Sequence, residues 1–430
     1  MSDAHGPSHS AGHGARAAAA APPSPAPLPS PLPSPMPLNG TGLPPILEPS
    51  DLEKLVGQSL RTEELVINMG PQHPSTHGVL RVVIKTDGEV VTALQPHVGN
   101  LHRCAEKIGE SLPYYQFIPY VDRMDYLAAI NNEHGICIAL ERLGGIVVPE
   151  RAEYIRIVLA EVQRVISHIM AVGVYGLDIG AITPFLHTFR EREKGLDLLD
   201  HISGGRLLYH LIRIGGVKRD LSPEWIDECR AFLDEVERRL PEYNALLMDN
   251  HIFRERTCGI GVISRADAIG WGVTGPALRA SGVDWDTRRD APYGIYDRFA
   301  FDVPVAPSGI AGVVGDCFQR HWVRVKEIDQ SIRIARQALR ELPPGEIQAK
   351  VPPKGFKPPK GEVFVRVENP RGELAYYVVS EGGDKPWRMR CRGPSFSNIA
   401  VITKVAKGTL IADLVALMGS MDIVLGEVDR

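Results

Sequence analysis

The sequence predicts an α+β protein: a long helical bundle carrying a small antiparallel β module that is discontinuous along the chain. Three observations lead there. Short alternating apolar runs flank a segment rich in glycine and proline over residues 69–78. Apolar residues recur at helical spacing in several long segments between residues 150 and 340. Strand-like segments return after paired prolines, late in the chain.

Residues 58–98 read as β structure. Leu65-Val66-Ile67 precedes the Gly/Pro-rich segment and Val79–Ile84 follows it. Asp87-Gly88 then suits a two-residue hairpin turn, because Gly tolerates positive φ. From Gly99 the pattern turns helical. Residues 150–172 place Ile155, Val158, Leu159, Val162, Ile166 and Ile169 on one face. Ser222-Pro223-Glu224 is a strong helix start: a capping hydroxyl, proline at the first helical position and an acid in the first turn. Ile226, Cys229, Leu233, Val236 and Leu240 mark the buried face that follows. Asp316 opens another helix, with Phe318, Trp322, Val325, Ile332, Ala335 and Leu339 in register. Pro352-Pro353 and Pro358-Pro359 break the chain, and strands are expected at 362–367 and 374–379, pairing with the amino-terminal sheet. The expected domain thus runs over 49–430: a β module (about 58–98 plus 362–395), a helical bundle (about 100–345) and a carboxyl-terminal segment (396–430).

The 430 residues carry a formal charge of −4 and 44% hydrophobic residues, enough for a sizeable core and without the basic excess that nucleic acid would call for. No uninterrupted apolar run of membrane-spanning length stands out, so a soluble chain, or one held at a membrane by partners, is expected. Six cysteines are scattered without a Cys-x-x-Cys pair. That argues against a disulfide framework and against a metal or iron–sulfur site built by this chain alone. Residues 1–48 differ in kind. Alanine fills positions 17–21 and proline recurs nearly every second residue from Pro22 to Pro37. Such a composition buries no core and reads as an extended, disordered arm, and the segment lacks the basic start and apolar stretch of a signal peptide. Its His5, His9 and His13 read as part of a solvated tail.

Met69-Gly-Pro-Gln-His-Pro-Ser-Thr-His-Gly78 places His73 and His77 four apart. On a helix this spacing would suggest a metal pair, but Pro71 and Pro74 forbid a regular helix. The histidines therefore sit on a shaped loop between two strands. Such loops often carry chemistry, and imidazole handles protons near neutral pH. Composition alone leaves a purely structural turn equally open.

The longer stretch Gly70–Arg81 closely resembles the opening motif of the 49-kDa-type, quinone-site subunits of respiratory NADH:quinone oxidoreductase (complex I). Pro119-Tyr-Val-Asp-Arg-Met-Asp-Tyr126, Leu177-Asp-Ile-Gly-Ala-Ile-Thr-Pro-Phe185, Pro370-Arg-Gly-Glu-Leu374, Pro394-Ser-Phe396 and Asp422–Arg430 resemble further motifs of that family in the same order. The likeness runs from about residue 60 to the end. It implies a fold like the large subunit of nickel–iron hydrogenases, to which the family is related. It also implies His77 and Tyr126 as donors to a quinone headgroup, Asp178 as the carboxylate paired with His77, and Arg103 beside a four-iron four-sulfur cluster held by a partner. No metal or cofactor belongs to this chain in that picture. The implied partners are the small iron–sulfur subunit, the 30-kDa-type subunit and a membrane-arm subunit where quinone enters. The implied place is the cytoplasmic side of a bacterial inner membrane, peripherally bound. Without the resemblance, Tyr126 reads as a residue packing a helix face and Asp178 as a turn cap.

Two departures stand out. Cys104 follows His102-Arg103 where the family usually has a small residue such as glycine. Ser203-Gly-Gly-Arg-Leu-Leu208 replaces the family's Ser-Gly-Ala-Arg-Met-His, so Leu208 takes the usual histidine's place and His210 stands two positions on. Two other readings remain. A hydrogen-activating large subunit needs two Cys-x-x-Cys pairs to hold nickel and iron, and they are missing. A non-catalytic scaffold would have no use for His77 and Tyr126.

Overall fold

The computed structural model describes residues 64–351 and 355–430. The Ala/Pro-rich arm, its histidines and the expected strand residues 58–63 lie outside the described residues.

Strands β1 (Glu64–Met69), β2 (Arg81–Asp87) and β3 (Val90–His97) form an antiparallel sheet in the order β1-β2-β3. Alternation on β2 does what its pattern requires: Val82, Ile84 and Thr86 turn inward and are buried. The hairpin forms one position later than expected. Asp87 pairs with Val90, so the turn is Gly88-Glu89 with glycine first, at φ +59°. That puts positive φ on the one residue that bears it freely, the pattern of a Gly-first hairpin turn.

The late strands correct the sequence reading. β6 (Gly361–Asn369), β7 (Gly372–Ser380) and β8 (Arg388–Arg392) form their own antiparallel sheet and do not join the first one. The outer edge of β3 is already occupied. Val91 donates to the Thr409 carbonyl and Gly408 donates to the Val91 carbonyl, each at 2.8 Å. A covered edge has no free ladder to offer. Within the expected bundle a two-stranded ribbon also appears, β4 (Ile212–Arg213) with β5 (Gly216–Val217).

The helices α1 (Ala105–Ser111), α2 (Tyr114–Val121), α3 (Ala129–Gly144), α4 (Glu150–Asp178), α5 (Ile182–Ser203), α6 (Pro223–Leu246), α7 (Cys317–Arg340) and α8 (Ile411–Met421) supply the rest of the core, with shorter helical turns between α6 and α7. The caps act as read. The Ser222 hydroxyl accepts from the Trp225 amide at 3.2 Å, and Asp316 accepts from the Gln319 amide at 2.8 Å. The central element is α4, packed against α5 and α7. It is long and apolar enough to cross a membrane, yet 89% of its most apolar stretch is buried inside this fold.

The core is far more charged than periodicity suggested. Arg156, Glu161, Arg164 and His168 of α4 are all fully buried. Arg156 meets Glu141 at 3.0 Å, Arg288 meets Glu161 at 3.2 Å, and His168 meets Glu327 at 2.9 Å. Arg279 joins Glu327 at 2.7 Å to Glu368 at 2.9 Å. Each of these buried charges meets an opposite one, Arg164 through Glu161 at 3.2 Å, the condition under which burial is tolerated.

Candidate functional site

The His73–Gly78 loop is shaped by its own side chains. His73 caps a 3-10 turn, Pro74–Thr76, its Nδ1 accepting from the Ser75 amide at 3.2 Å. The buried Thr76 hydroxyl donates to the His73 carbonyl at 2.7 Å. Together these throw His77 into the left-handed region at φ +51° and aim its ring away from the turn.

The ring meets the far end of α4. His77 Nε2 and Asp178 Oδ2 are 2.8 Å apart, with the side chains 15% and 6% exposed. Asp178 is the last residue of α4, so a rigid 29-residue helix sets its position. Burial pulls the His77 pKa down, but the Asp178 hydrogen bond and charge, helped by Asp422, outweigh it and the value ends above the usual 6.5. With the folded value raised, the pair contributes stability that is complete below about pH 6.5 and is lost as pH rises through the folded value.

Asp178 also needs room. A Cβ at Gly419, in α8, would stand 2.5 Å from Asp178 Oδ2 and 3.0 Å from Tyr175 Cδ2. Gly419→Ala is expected to push Asp178 away from His77 and lower the imidazole pKa. An NMR titration of His77 checks this; an unchanged midpoint in the variant contradicts it.

Tyr126 lies in the loop (residues 122–128) between α2 and α3 and is half-buried. No hydrogen bond joins it to His77 or Asp178 among the described residues. Burial raises its hydroxyl pKa above the usual 10, aided by Asp125 and Asp422 and opposed by Arg371 and Arg103. What His77 and Tyr126 share is a field. Arg371 contacts Asp125 at 3.0 Å and Asp422 at 3.3 Å, and donates to the Ser167 hydroxyl at 3.2 Å. Both Arg371 and Asp422 act on both candidate donors.

Sequence reading did not single out this cluster, although the signal was present. Asp125, Arg371 and Asp422 each lie in a separate matched motif, and each motif contributes one charge. Glu427, from the terminal motif, is pushed up to about 8, chiefly by burial and then by Asp125.

Arg103 stands at the surface, donating through Nη2 to the Arg123 carbonyl, and its charge reaches Tyr126. The chain terminus braces its segment: Asp429 accepts from the Gly99 amide at 2.8 Å and the Leu101 amide at 2.7 Å. Leu208 is half-buried. His210 adopts φ +49° and lines a cavity of about 620 Å³ with Arg213, Lys218, Tyr115 and Phe356. Burial first, then Arg213 and Lys218, push its pKa down to about 4.

Comparison with known proteins adds a second line. A family model described as the 49 Kd subunit of respiratory-chain NADH dehydrogenase matches residues 178–355 and 350–430. The chain is 49% identical over 371 residues to the D-type subunit of the NADH-quinone oxidoreductase of Geobacillus kaustophilus, covering 86% of this chain and 99% of that one. The D-type subunits of Dehalococcoides mccartyi, at 49% over 373 residues (86% of this chain, 100% of the relative), and of Clostridium beijerinckii, at 48% over 373 residues (87% and 99%), are similarly close.

Proposed function

Because the chain belongs to the family of the 49 kDa subunit of respiratory-chain NADH dehydrogenase, we propose that it forms the quinone-reducing site of an NADH:quinone oxidoreductase complex. Its place is as a subunit of that enzyme. The observation that carries the reading is the His77–Asp178 pair at 2.8 Å, lying in one electrostatic field with Tyr126.

Quinone reduction takes up two electrons and two protons, and each headgroup oxygen gains negative charge on the way. Two donors in a water-poor site meet that need. His77 holds a proton to higher pH than a free imidazole does, because Asp178 favours the imidazolium, and it donates to one oxygen. Tyr126, kept neutral by burial, donates its hydroxyl proton to the other. A four-iron four-sulfur cluster held by a partner subunit would supply the electrons. Arg103 fits beside such a group, since its guanidinium is exposed and its charge is not matched by a carboxylate salt bridge among the described residues. The partners in this reading are the small iron–sulfur subunit, the 30-kDa-type subunit and the membrane-arm subunit where quinone enters. The complex lies against the cytoplasmic side of the bacterial inner membrane. The relation to nickel–iron hydrogenase large subunits belongs to the same reading. Hydrogen activation does not, because the sequence lacks both Cys-x-x-Cys pairs.

The test is Tyr126→Phe in the assembled complex. Quinone reduction is expected to fall about tenfold or more, in the range of a lost general acid. NADH oxidation by an artificial acceptor, which takes electrons upstream, stays near wild type. Full quinone turnover in the variant excludes Tyr126 as a donor, and equal loss of both activities means failed assembly.

The cluster's pH response is a separate expectation. A titrating histidine beside a cluster makes its potential fall with pH, because reduction tightens proton binding. Leu208 cannot titrate, and His210, at about 4, stays neutral between pH 6 and 8. A nearly flat potential over that range is expected in a redox titration. A slope near 59 mV per pH unit, one proton per electron, would contradict it.

A further inference from the structure

Tyr126 stands between two pinned residues. On one side, the Asp125 carbonyl accepts from Asn132 Nδ2 at 3.2 Å, and the Asp125 carboxylate meets Arg371 at 3.0 Å. On the other, Gln163 of α4 donates through Nε2 to the Leu127 carbonyl at 2.7 Å. Asp125 Oδ1 ties the two sides together, accepting from the Leu127 amide at 3.2 Å. Gln163 is 2% exposed, and the Leu127 carbonyl meets no other donor among the described residues. A carbonyl can only accept, so the NH2 end of Gln163 must face it and the amide oxygen is turned the other way.

Gln163 and Tyr126 line one cavity of about 10 Å³, together with Leu127, Arg192 and Tyr209. Gln163 Oε1 is buried and meets no donor among the described residues, and Arg192 Nε, on α5, is buried and meets no acceptor. Tyr209 does not serve as that donor, because its hydroxyl donates to the Arg206 carbonyl at 2.9 Å. The space suits one water, which can donate to Gln163 and accept from Arg192. A side chain present only to fill the core would be apolar here, since burying a polar end without a protein partner is costly. The amide is explained by what its other end holds.

Helix α4 thereby carries one partner for each candidate donor. Asp178, its last residue, meets His77, and Gln163, nearer its middle, holds the chain at Tyr126. A single rigid element sets both, which is how two donors are kept at the spacing of one headgroup. Without Gln163 the Leu127 carbonyl loses its partner, and the segment that presents Tyr126 is freed to shift. Small misplacements of a reacting group are enough to slow a step.

We propose that Gln163 is a positioning residue for quinone reduction, holding Tyr126 at the headgroup by clamping Leu127. This rests on the reading of Tyr126 as a headgroup donor. Gln163 itself neither gives nor takes the proton. Its effect on turnover therefore passes through Tyr126 and disappears when the Tyr126 hydroxyl is removed.

The experiment compares Gln163→Met, Tyr126→Phe and the double variant in the whole complex. Methionine keeps the length of the side chain, adapts to its space and removes the amide. In Gln163→Met, kcat for quinone should fall about fivefold, no more than in Tyr126→Phe, while KM stays within about twofold. NADH oxidation by an artificial acceptor reports assembly. In the Tyr126→Phe background, Gln163→Met should lower turnover by less than about twofold further, because the group it positions is gone. Gln163→Asn keeps the amide but falls one methylene short of the Leu127 carbonyl, and should act as a milder Gln163→Met. Three results overturn the assignment: wild-type kcat in Gln163→Met, a raised KM with kcat unchanged, or losses that multiply in the double variant. If Gln163→Met loses both activities together, through failed assembly, Gln163→Asn takes its place in the same cycle and the same three results decide. Full turnover in Tyr126→Phe sinks the donor reading, whereas multiplied losses sink the positioning role and leave the donor standing.

Discussion

His77→Ala in the assembled complex is expected to lower quinone reduction by about 10²–10³-fold, the scale of a lost donor at a developing oxyanion. NADH oxidation by an artificial acceptor should change little. The effect exceeds that expected for Tyr126→Phe because His77 is the group with a charged form within reach of neutral pH. Its companion is Asp178→Asn, which keeps the shape and removes the charge. Burial, the largest influence on His77, then acts with less opposition, and the imidazole pKa drops. Since the protonated ring is the acid, the alkaline decline of turnover should begin at lower pH in Asp178→Asn than in the wild type. A decline at the same pH would separate His77 from proton delivery, and wild-type turnover in His77→Ala would remove it from the headgroup.

Arg371→Met is expected to be the most damaging single change to the structure around the site. Arg371 is 2% exposed and joins Asp125 and Asp422, two buried carboxylates drawn from distant parts of the chain. Removing one partner of a buried ion pair costs about 3–5 kcal/mol, because the charge left behind keeps its desolvation cost. Asp125, already raised by burial and held down by Arg371, would respond by taking up a proton. The pKa values of Tyr126 and His77, which Arg371 lowers, would feel the loss of that cation. Assembly yield and denaturant resistance measure the first effect. Arg371→Lys keeps the charge without the forked geometry and should recover only part of the loss. Wild-type resistance in Arg371→Met would mean that the cluster contributes little.

Much of the local structure was legible along the chain. Ser222 and Asp316 cap helices where their hydroxyl and carboxylate precede an apolar pattern, and alternation on β2 selects its buried face. These features depend on neighbours a few residues away. The Gly88 turn slipped by one position because both Asp-Gly and Gly-Glu satisfy the hairpin geometry, and strand pairing chose between them. The candidate site was legible only through motif resemblance. No spacing rule links His77 to Asp178 across 101 positions.

The chain alone thus carries its helices, its first sheet and the loop that presents His77. Which edges pair and which charges meet depended on the packed fold. The late strands form a separate sheet because residues 408–411 already cover β3. Arg156, Arg164 and Arg371 carry full charges, yet they are buried. Arg156 and Arg371 go inside where carboxylates from other segments meet them, Glu141 for the first and Asp125 and Asp422 for the second, while Arg164 pairs with Glu161 one turn away on its own helix. Hydrophobic periodicity records what a residue prefers. The energy of a buried ion depends on its distance to an opposite charge in three dimensions, which one sequence does not record.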